Sequence, residues 1–143
     1  MEIRKIKPLH IDDLFNLSQE QFKEESWTKN QFDDCIVDDN YICAGLFDQG
    51  KLICYVVAIQ SLDDINILSI ATKNEYQKQG YATRLVTWYK NLASQVEKTL
   101  SLEVKSKNIV AINLYQKLGF KQVHTRKKYY KDGDDAIIMF CDL

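Results

Sequence analysis

The run Gln77-Lys78-Gln79-Gly80-Tyr81-Ala82 stands directly before the most regular helical pattern in the chain. A helix start leaves its first backbone N–H groups without intrahelical partners. Those groups, with the helix dipole, attract phosphate and other anions. A phosphate that approaches the backbone needs a small residue at the turn, and Gly80 and Ala82 meet that need. The chemistry indicated is the binding of a phosphorylated ligand. The alternative is that Gly80 only eases a turn from strand to helix. The run is not a dinucleotide fingerprint, which needs a third glycine and an acidic residue on the next strand. Nor is it a P-loop, because no Gly-Lys-Ser/Thr follows.

Two further residues carry side chains capable of proton transfer, and each also has a plain structural reading. Glu103 lies on the polar side of an alternating run, Leu100 to Lys105, so it faces away from the apolar partners Leu102 and Val104. Pairing with Lys105 or Lys121 is the plain structural reading of that glutamate. Tyr115 falls on a short helical pattern beside Ile112 and Leu118. A phenol, with a pKa of about 10, stays protonated at neutral pH and can donate. Packing among its apolar neighbours is the other reading of Tyr115. Asn108 begins that helical pattern, where asparagine is a favoured cap.

The elements that must hold these residues are legible in the periodicity. Ile3 and Ile6 flank a short first strand, and Ile11, Leu14, Phe15 and Phe22 share one helical face. A second helix starts at Thr28, with Gln31 three residues on and Trp27 and Phe32 set as a hydrophobic staple. Three strands follow, Tyr41 to Phe47, Leu52 to Ile59 and Ile65 to Ala71, joined by turns at Asp48-Gln49-Gly50 and Asp63-Asp64. The best helix carries Ala82, Leu85, Val86, Tyr89, Leu92, Ala93 and Val96 on one stripe. The strand Leu100 to Val104 comes next, then a helix from about Asn108 to Leu118 that stops at Gly119. Phe120 to Val123 and Ala136 to Phe140 complete the sheet, joined around Asp132-Gly133. The strand–helix–strand unit from Ile65 to Val104 predicts a parallel pair joined by a right-handed crossover. The expected class is α+β: a mixed, mostly antiparallel sheet of about seven strands with a central parallel pair and about four helices on both faces.

Composition narrows the function. The chain has 143 residues, 45% hydrophobic and 27% charged, with a net charge of -1. This is ordinary globular composition, and residues 1–143 are expected to form a single domain. No basic face of the kind that nucleic acid demands is evident. No apolar run approaches the ~20 residues that cross a bilayer. The first residues, Met1 to Lys7, alternate charged and apolar and do not make a signal peptide, so a cytoplasmic location is expected. The four cysteines, Cys35, Cys43, Cys54 and Cys141, form no C-x-x-C pair, and neither His10 nor His124 sits in a metal-ligand cluster, so no metal is expected.

The run at 77–82 has the form Gln/Arg-x-x-Gly-x-Gly/Ala and follows a strand ending Ile70-Ala71-Thr72. It resembles the acetyl-CoA-binding motif of the GNAT superfamily of N-acetyltransferases. The stretch Leu102-Glu103-Val104 … Asn108 … Ala111-Ile112-Asn113-Leu114-Tyr115 … Gly119-Phe120 resembles one branch, the RimI-like ribosomal-protein-S18-alanine N-acetyltransferases. Tyr129-Tyr130 with Asp135 to Met139, and Ser26-Trp27-Thr28 with Phe32, are similar to the same branch. Gln77 stands where arginine is common, Ala82 where glycine is common, Thr72 where valine is usual, Asn74 where proline is usual and Ser26 where proline is frequent.

The resemblance implies a GNAT fold and direct acetyl transfer from acetyl-CoA to a primary amine in a ternary complex. It implies Glu103 as general base and Tyr115 as the acid that protonates the departing thiolate. It implies a cofactor site built from Ile70, Ala71 and Thr72, from Gln77, Lys78, Gln79, Gly80, Tyr81, Ala82 and Thr83, and from Asn108. Trp27, Tyr129 and Tyr130 would line the acceptor cleft. The implied acceptor is the N-terminal alanine amine of ribosomal protein S18, to which Asp33-Asp34, Asp38-Asp39 and Asp63-Asp64 offer negative charge. A small-molecule amine, a lysine side chain, or a non-catalytic CoA-binding role are the rival readings. The expected state is a monomer or weak dimer.

Overall fold

A computed structural model describes residues 1–141. The elements run β1 (Glu2–Lys5), α1 (Ile11–Phe22), α2 (Lys29–Val37), β2 (Tyr41–Asp48), β3 (Lys51–Gln60), β4 (Asp64–Thr72), α3 (Tyr81–Gln95), β5 (Thr99–Lys105), α4 (Ile109–Lys117), β6 (Phe120–Arg126) and β7 (Ala136–Cys141). The seven strands form one sheet in the order β1-β2-β3-β4-β5-β7-β6. The β4–β5 pair is parallel and the other neighbours are antiparallel. This is the mixed sheet with a central parallel pair and four helices that the periodicity predicts.

The helices divide between the two faces. Leu85, Val86, Tyr89 and Ala93 of α3, with Tyr115 of α4, pack in one core. Leu14 and Leu17 of α1, with Phe32, Cys35 and Ile36 of α2, pack in the other. The strand β3 feeds both: Cys54, Val56 and Ala58 point to the α3 side, and Tyr55 and Val57 to the α1 side. That is why its sequence is apolar without alternation. At the start of α2, Gln31 N–H donates to Thr28 Oγ1 (3.1 Å) and Thr28 N–H donates to Gln31 Oε1 (2.8 Å). Trp27 packs on Phe32 with ring centroids 5.2 Å apart. Both the capping box and the staple are therefore formed.

The parallel pairing is short. It runs from Asp64 opposite Thr99 to Ile67 opposite Leu102, and among the described residues it goes no further. The strand β4 continues along β3 as far as Thr72. On the way its register slips: Val57 faces Ser69 and Ala58 faces Ile67, which leaves Leu68 as an extra residue on β4. A bulge of this kind bends and twists its strand. Beyond Leu68, β4 stays with β3, while β5 stays with β7 through Lys105 opposite Ala136. A slot opens between residues 69–72 of β4 and residues 103–105 of β5.

Tyr89 ties α3 to the sheet beside this region. It is fully buried, and its hydroxyl accepts from Ala44 N–H (3.0 Å) and lies 2.8 Å from Ile42 O and 2.9 Å from Val56 O. Removing that oxygen leaves a buried backbone donor without its partner, which costs about 1–3 kcal/mol. Tyr89→Phe is therefore expected to lower unfolding stability by about that amount, measured by urea denaturation. An unchanged midpoint and slope would show that the hydroxyl carries no such load.

Candidate active site

The site is built around the slot. Lys73 N–H donates to Ile53 O at 2.8 Å. Main-chain groups in a strand face the same neighbour at every second residue. Ala71 therefore also faces β3, and Ile70 and Thr72 turn their N–H and C=O toward the slot. Gln77 Nε2 donates to Thr72 O (3.0 Å) and to Gln21 Oε1 (2.9 Å). That leaves the N–H and C=O of Ile70 and the N–H of Thr72 aimed into open space, a short strand edge that an extended ligand can join.

The start of α3 stands at one end of that edge. Its N-cap is Gly80, at φ 86°, with no side-chain cap and no acidic residue in the first turn. By contrast, Thr28 caps α2, Asn108 caps α4, and α1 carries Asp12 and Asp13 in its first turn. The amides of Tyr81, Ala82 and Thr83 thus keep their positive end uncompensated. Lys78, at φ 61°, and Gly80 both hold the loop in the left-handed region. A Cβ built on Gly80 would meet no atom within 4 Å. Glycine is therefore favoured here by its dihedral angle, and the space beside it is free.

A cavity of about 710 Å³ joins these parts. It is lined by Ile70, Ala71 and Thr72 of β4, by Gln77, Lys78 and Gly80 of the loop, and by Tyr81, Ala82 and Thr83 of α3. Asn108 and Tyr115 close it from the α4 side. Asn108 Oδ1 also accepts from Ala111 N–H at 3.2 Å, so the same side chain caps α4 and lines the cavity. Gln79 lies outside the lining; its amide donates to Glu75 O at 3.0 Å and braces the loop. Residues that the sequence reading did not single out also line the cavity, among them Tyr76, Val110, Asn113 and Leu114. One signal was available: Ile109 to Ile112 are four consecutive apolar residues, more than one helix face can bury. Val110 is in fact 83% exposed.

Tyr115 and Glu103 sit on opposite faces of the sheet. The Tyr115 ring belongs to the α3–α4 core and stands edge-on to Phe120 at 5.9 Å. Burial pushes its pKa up to about 12, so it holds its proton at all ordinary pH. Among the described residues no buried side-chain oxygen lacks a partner, and the Tyr115 hydroxyl has no bond within the protein, so it opens on the cavity. Glu103 lies between Leu102 and Val104, both in the α3–α4 core, and therefore points to the α1–α2 face.

The partner of Glu103 is neither Lys105 nor Lys121 but Arg126 of β6, Nη1 to Oε1 at 3.6 Å. Arg126 lies 5.4 Å over the Tyr129 ring, and Lys105 5.1 Å over that of Tyr130. Lys105 also pairs with Asp132 (3.0 Å) and Glu25 (3.6 Å). Those pairs tie the loop carrying Tyr129 and Tyr130 to β5 and to the segment before Trp27. Glu103, Trp27, Tyr129 and Tyr130 are outside the cavity lining. Two regions result, a long cavity on the α3–α4 side and an aromatic, charged patch around Glu103, with the slot beside them.

Three of the thiols are poor nucleophiles. Burial raises the pKa of Cys43 to about 12 and that of Cys54 to about 11, and also raises that of Cys35. A thiolate is the reactive form, so these three offer little of it near neutral pH.

The sequence model of the acetyltransferase (GNAT) family matches residues 8–120. The chain belongs to that family. It is 33% identical over 125 residues to the [ribosomal protein bS18]-alanine N-acetyltransferase of Escherichia coli (strain K12), covering 82% of this chain and 78% of that one. It is 31% identical over 141 residues to a putative enzyme of the same name from Bacillus subtilis (strain 168), covering 96% and 93%. The crystal structure of the Escherichia coli ribosomal-protein-S18-alanine N-acetyltransferase superposes with a TM-score of 0.88 at 28% identity, over 98% of this chain and 92% of that one. The protein is thus a GNAT-type, acetyl-CoA-dependent N-acetyltransferase. No helix among the described residues is long and apolar enough to cross a membrane.

Gly80→Ala tests the loop. Its Cβ has room, but an L-residue at this φ costs about 1–2 kcal/mol. Thermal unfolding is expected to report that loss, and titration calorimetry a weaker affinity for acetyl-CoA. Unchanged affinity would mean that the loop geometry does not matter for the cofactor.

Proposed function

We propose that the chain acetylates the N-terminal alanine amine of ribosomal protein bS18. The observation that carries the reaction is the slot through the sheet, with Tyr115 on one face and Glu103 on the other. The acceptor is inferred from the similarity to the two bS18-alanine enzymes.

Acetyl-CoA lies in the cavity, its phosphates at the start of α3 and its pantetheine arm along β4. The amides of Ile70 and Thr72 hold the arm and the thioester carbonyl. The acceptor amine enters from the α1–α2 face, beside Tyr129, Tyr130 and Trp27. Its lone pair attacks the carbonyl carbon, and Glu103 takes the amine proton directly or through water. The C–S bond then breaks, and Tyr115 donates its proton to the departing thiolate. No acetyl-cysteine intermediate is needed. Exposed Asp33, Asp34, Asp38 and Asp39 give a basic acceptor protein a favourable approach. Asp64 is committed elsewhere, accepting from Thr99 (2.6 Å) and Ser101 (2.7 Å).

The test is thiol release from acetyl-CoA with a peptide copying the bS18 N-terminus, beside the same peptide with a blocked terminus and free lysines. Turnover is expected only with the free terminus. Turnover with both, or with neither, would remove this acceptor. Only the neutral amine attacks, and an α-amine has a pKa of about 7.7–8.0 against about 10.4 for lysine. kcat/KM is therefore expected to rise with pH and level off near pH 8; a rise continuing toward about pH 10 would indicate a lysine acceptor. Glu103→Gln and Tyr115→Phe are each expected to lower kcat by on the order of 10²-fold or more, the usual range for a lost general base or acid. Unchanged turnover in either variant would remove the role assigned to that residue.

A further inference from the structure

A line of hydroxyl groups runs through the α1–α2 core to the slot. Ser26 Oγ lies 2.9 Å from Trp27 O and 2.7 Å from Ser18 Oγ. Ser18 is buried, 1% exposed, and faces the fully buried Tyr55 hydroxyl, whose pKa burial raises and contacts with Ser18 and Ser69 partly restore. Tyr55 Oη lies 2.9 Å from Ser69 Oγ. Ser69 follows the bulged Leu68 on β4, at the point where β4 leaves β5. Its bond to Tyr55 places it on the α1–α2 face, the face to which Glu103 points from the opposite lip.

The line is anchored at Ser26. A carbonyl only accepts, so Ser26 commits its one hydrogen to Trp27 O. Ser18 then donates to Ser26, while in the 2.9 Å bond between Tyr55 and Ser69 either hydroxyl can be the donor. In either direction Ser69 keeps at least one lone pair for a donor in the slot. A neutral primary amine needs the complementary arrangement: two N–H groups held by acceptors, and its lone pair left free to attack.

We propose that Ser69 is a substrate-binding residue that accepts one N–H of the acceptor amine while Glu103 accepts the other, and that Tyr55 and Ser18 position it. The pair aims the nitrogen lone pair at the thioester carbon in the slot. This rests on the proposed roles of the slot and Glu103, and not on the identity of the acceptor.

Steady-state kinetics of Ser69→Ala, Ser69→Thr, Tyr55→Phe and the Ser69→Ala/Tyr55→Phe double variant test it. The acceptor is the amine that the wild-type enzyme turns over fastest, chosen from alanine-terminated peptides, lysine peptides and small amines, so failure of the ribosomal acceptor leaves this test intact. Ser69→Ala is expected to raise the amine KM and lower kcat/KM about tenfold, the worth of one good hydrogen bond, with the KM for acetyl-CoA unchanged. Ser69→Thr keeps the hydroxyl and is expected to retain most activity. Tyr55→Phe acts through Ser69, so the double variant is expected to be no worse than Ser69→Ala alone. Wild-type amine kinetics in Ser69→Ala would overturn the proposal. So would an equal loss in Ser69→Ala and Ser69→Thr, or a fall in acetyl-CoA affinity that matches the loss for the amine. If Tyr55→Phe does not fold, the comparison of Ser69→Ala with Ser69→Thr still decides.

Discussion

The parting of β4 from β5 is the constraint on which the site depends. Two neighbouring parallel strands would ordinarily satisfy each other's main-chain groups along their length. Here the extra residue at Leu68 ends that pairing after Ile67 and Leu102. Unpaired main-chain groups are costly when buried, so the edge at Ile70 and Thr72 must meet solvent or a ligand. The same opening breaches the wall between the two faces of the sheet. A group inside it can be reached from both sides, which no closed sheet permits.

The rest of the fold holds that opening in place. The strand β3 is buried on both faces and keeps β4 on course beyond the bulge. The strand β7 holds β5 on the other side through Lys105. Tyr89 fixes α3 to β2 and β3 through three backbone contacts, and α3 in turn sets where its uncapped first turn points. On the far side, Lys105 links Asp132 and Glu25, so the aromatic loop and the start of α2 are referred to the same strand that carries Glu103. Each link is modest, since exposed ion pairs contribute little individually. Their effect is positional, because they converge on one strand.

Much of this was legible in the sequence. The turns and the periodicity place every strand and helix, and Gly80 marks the loop before α3. The capping box at Thr28 and Gln31 formed as read. What sequence could not supply is register. A bulge at Leu68 has no composition signal, since Ile65 to Ala71 reads as an ordinary strand. The partner of Glu103 depends on which β6 residue lies across β7, and the slip between Gln122 and His124 alters that count. Nor does any spacing rule give the bonds that the Gln77 and Gln79 side-chain amides make to Thr72, Gln21 and Glu75. The line from Ser26 to Ser69 joins α1, β3, β4 and the segment between α1 and α2, and no spacing rule predicts it.

Amide hydrogen exchange with and without acetyl-CoA tests the central claim most directly. If the open edge of β4 and the uncapped start of α3 hold the cofactor, the amides of Ile70, Thr72, Tyr81, Ala82 and Thr83 become protected on binding, while Ala71 and Lys73, which face β3, change little. Saturating acetyl-CoA that left residues 70–72 and 81–83 unchanged, with protection elsewhere, would contradict the account.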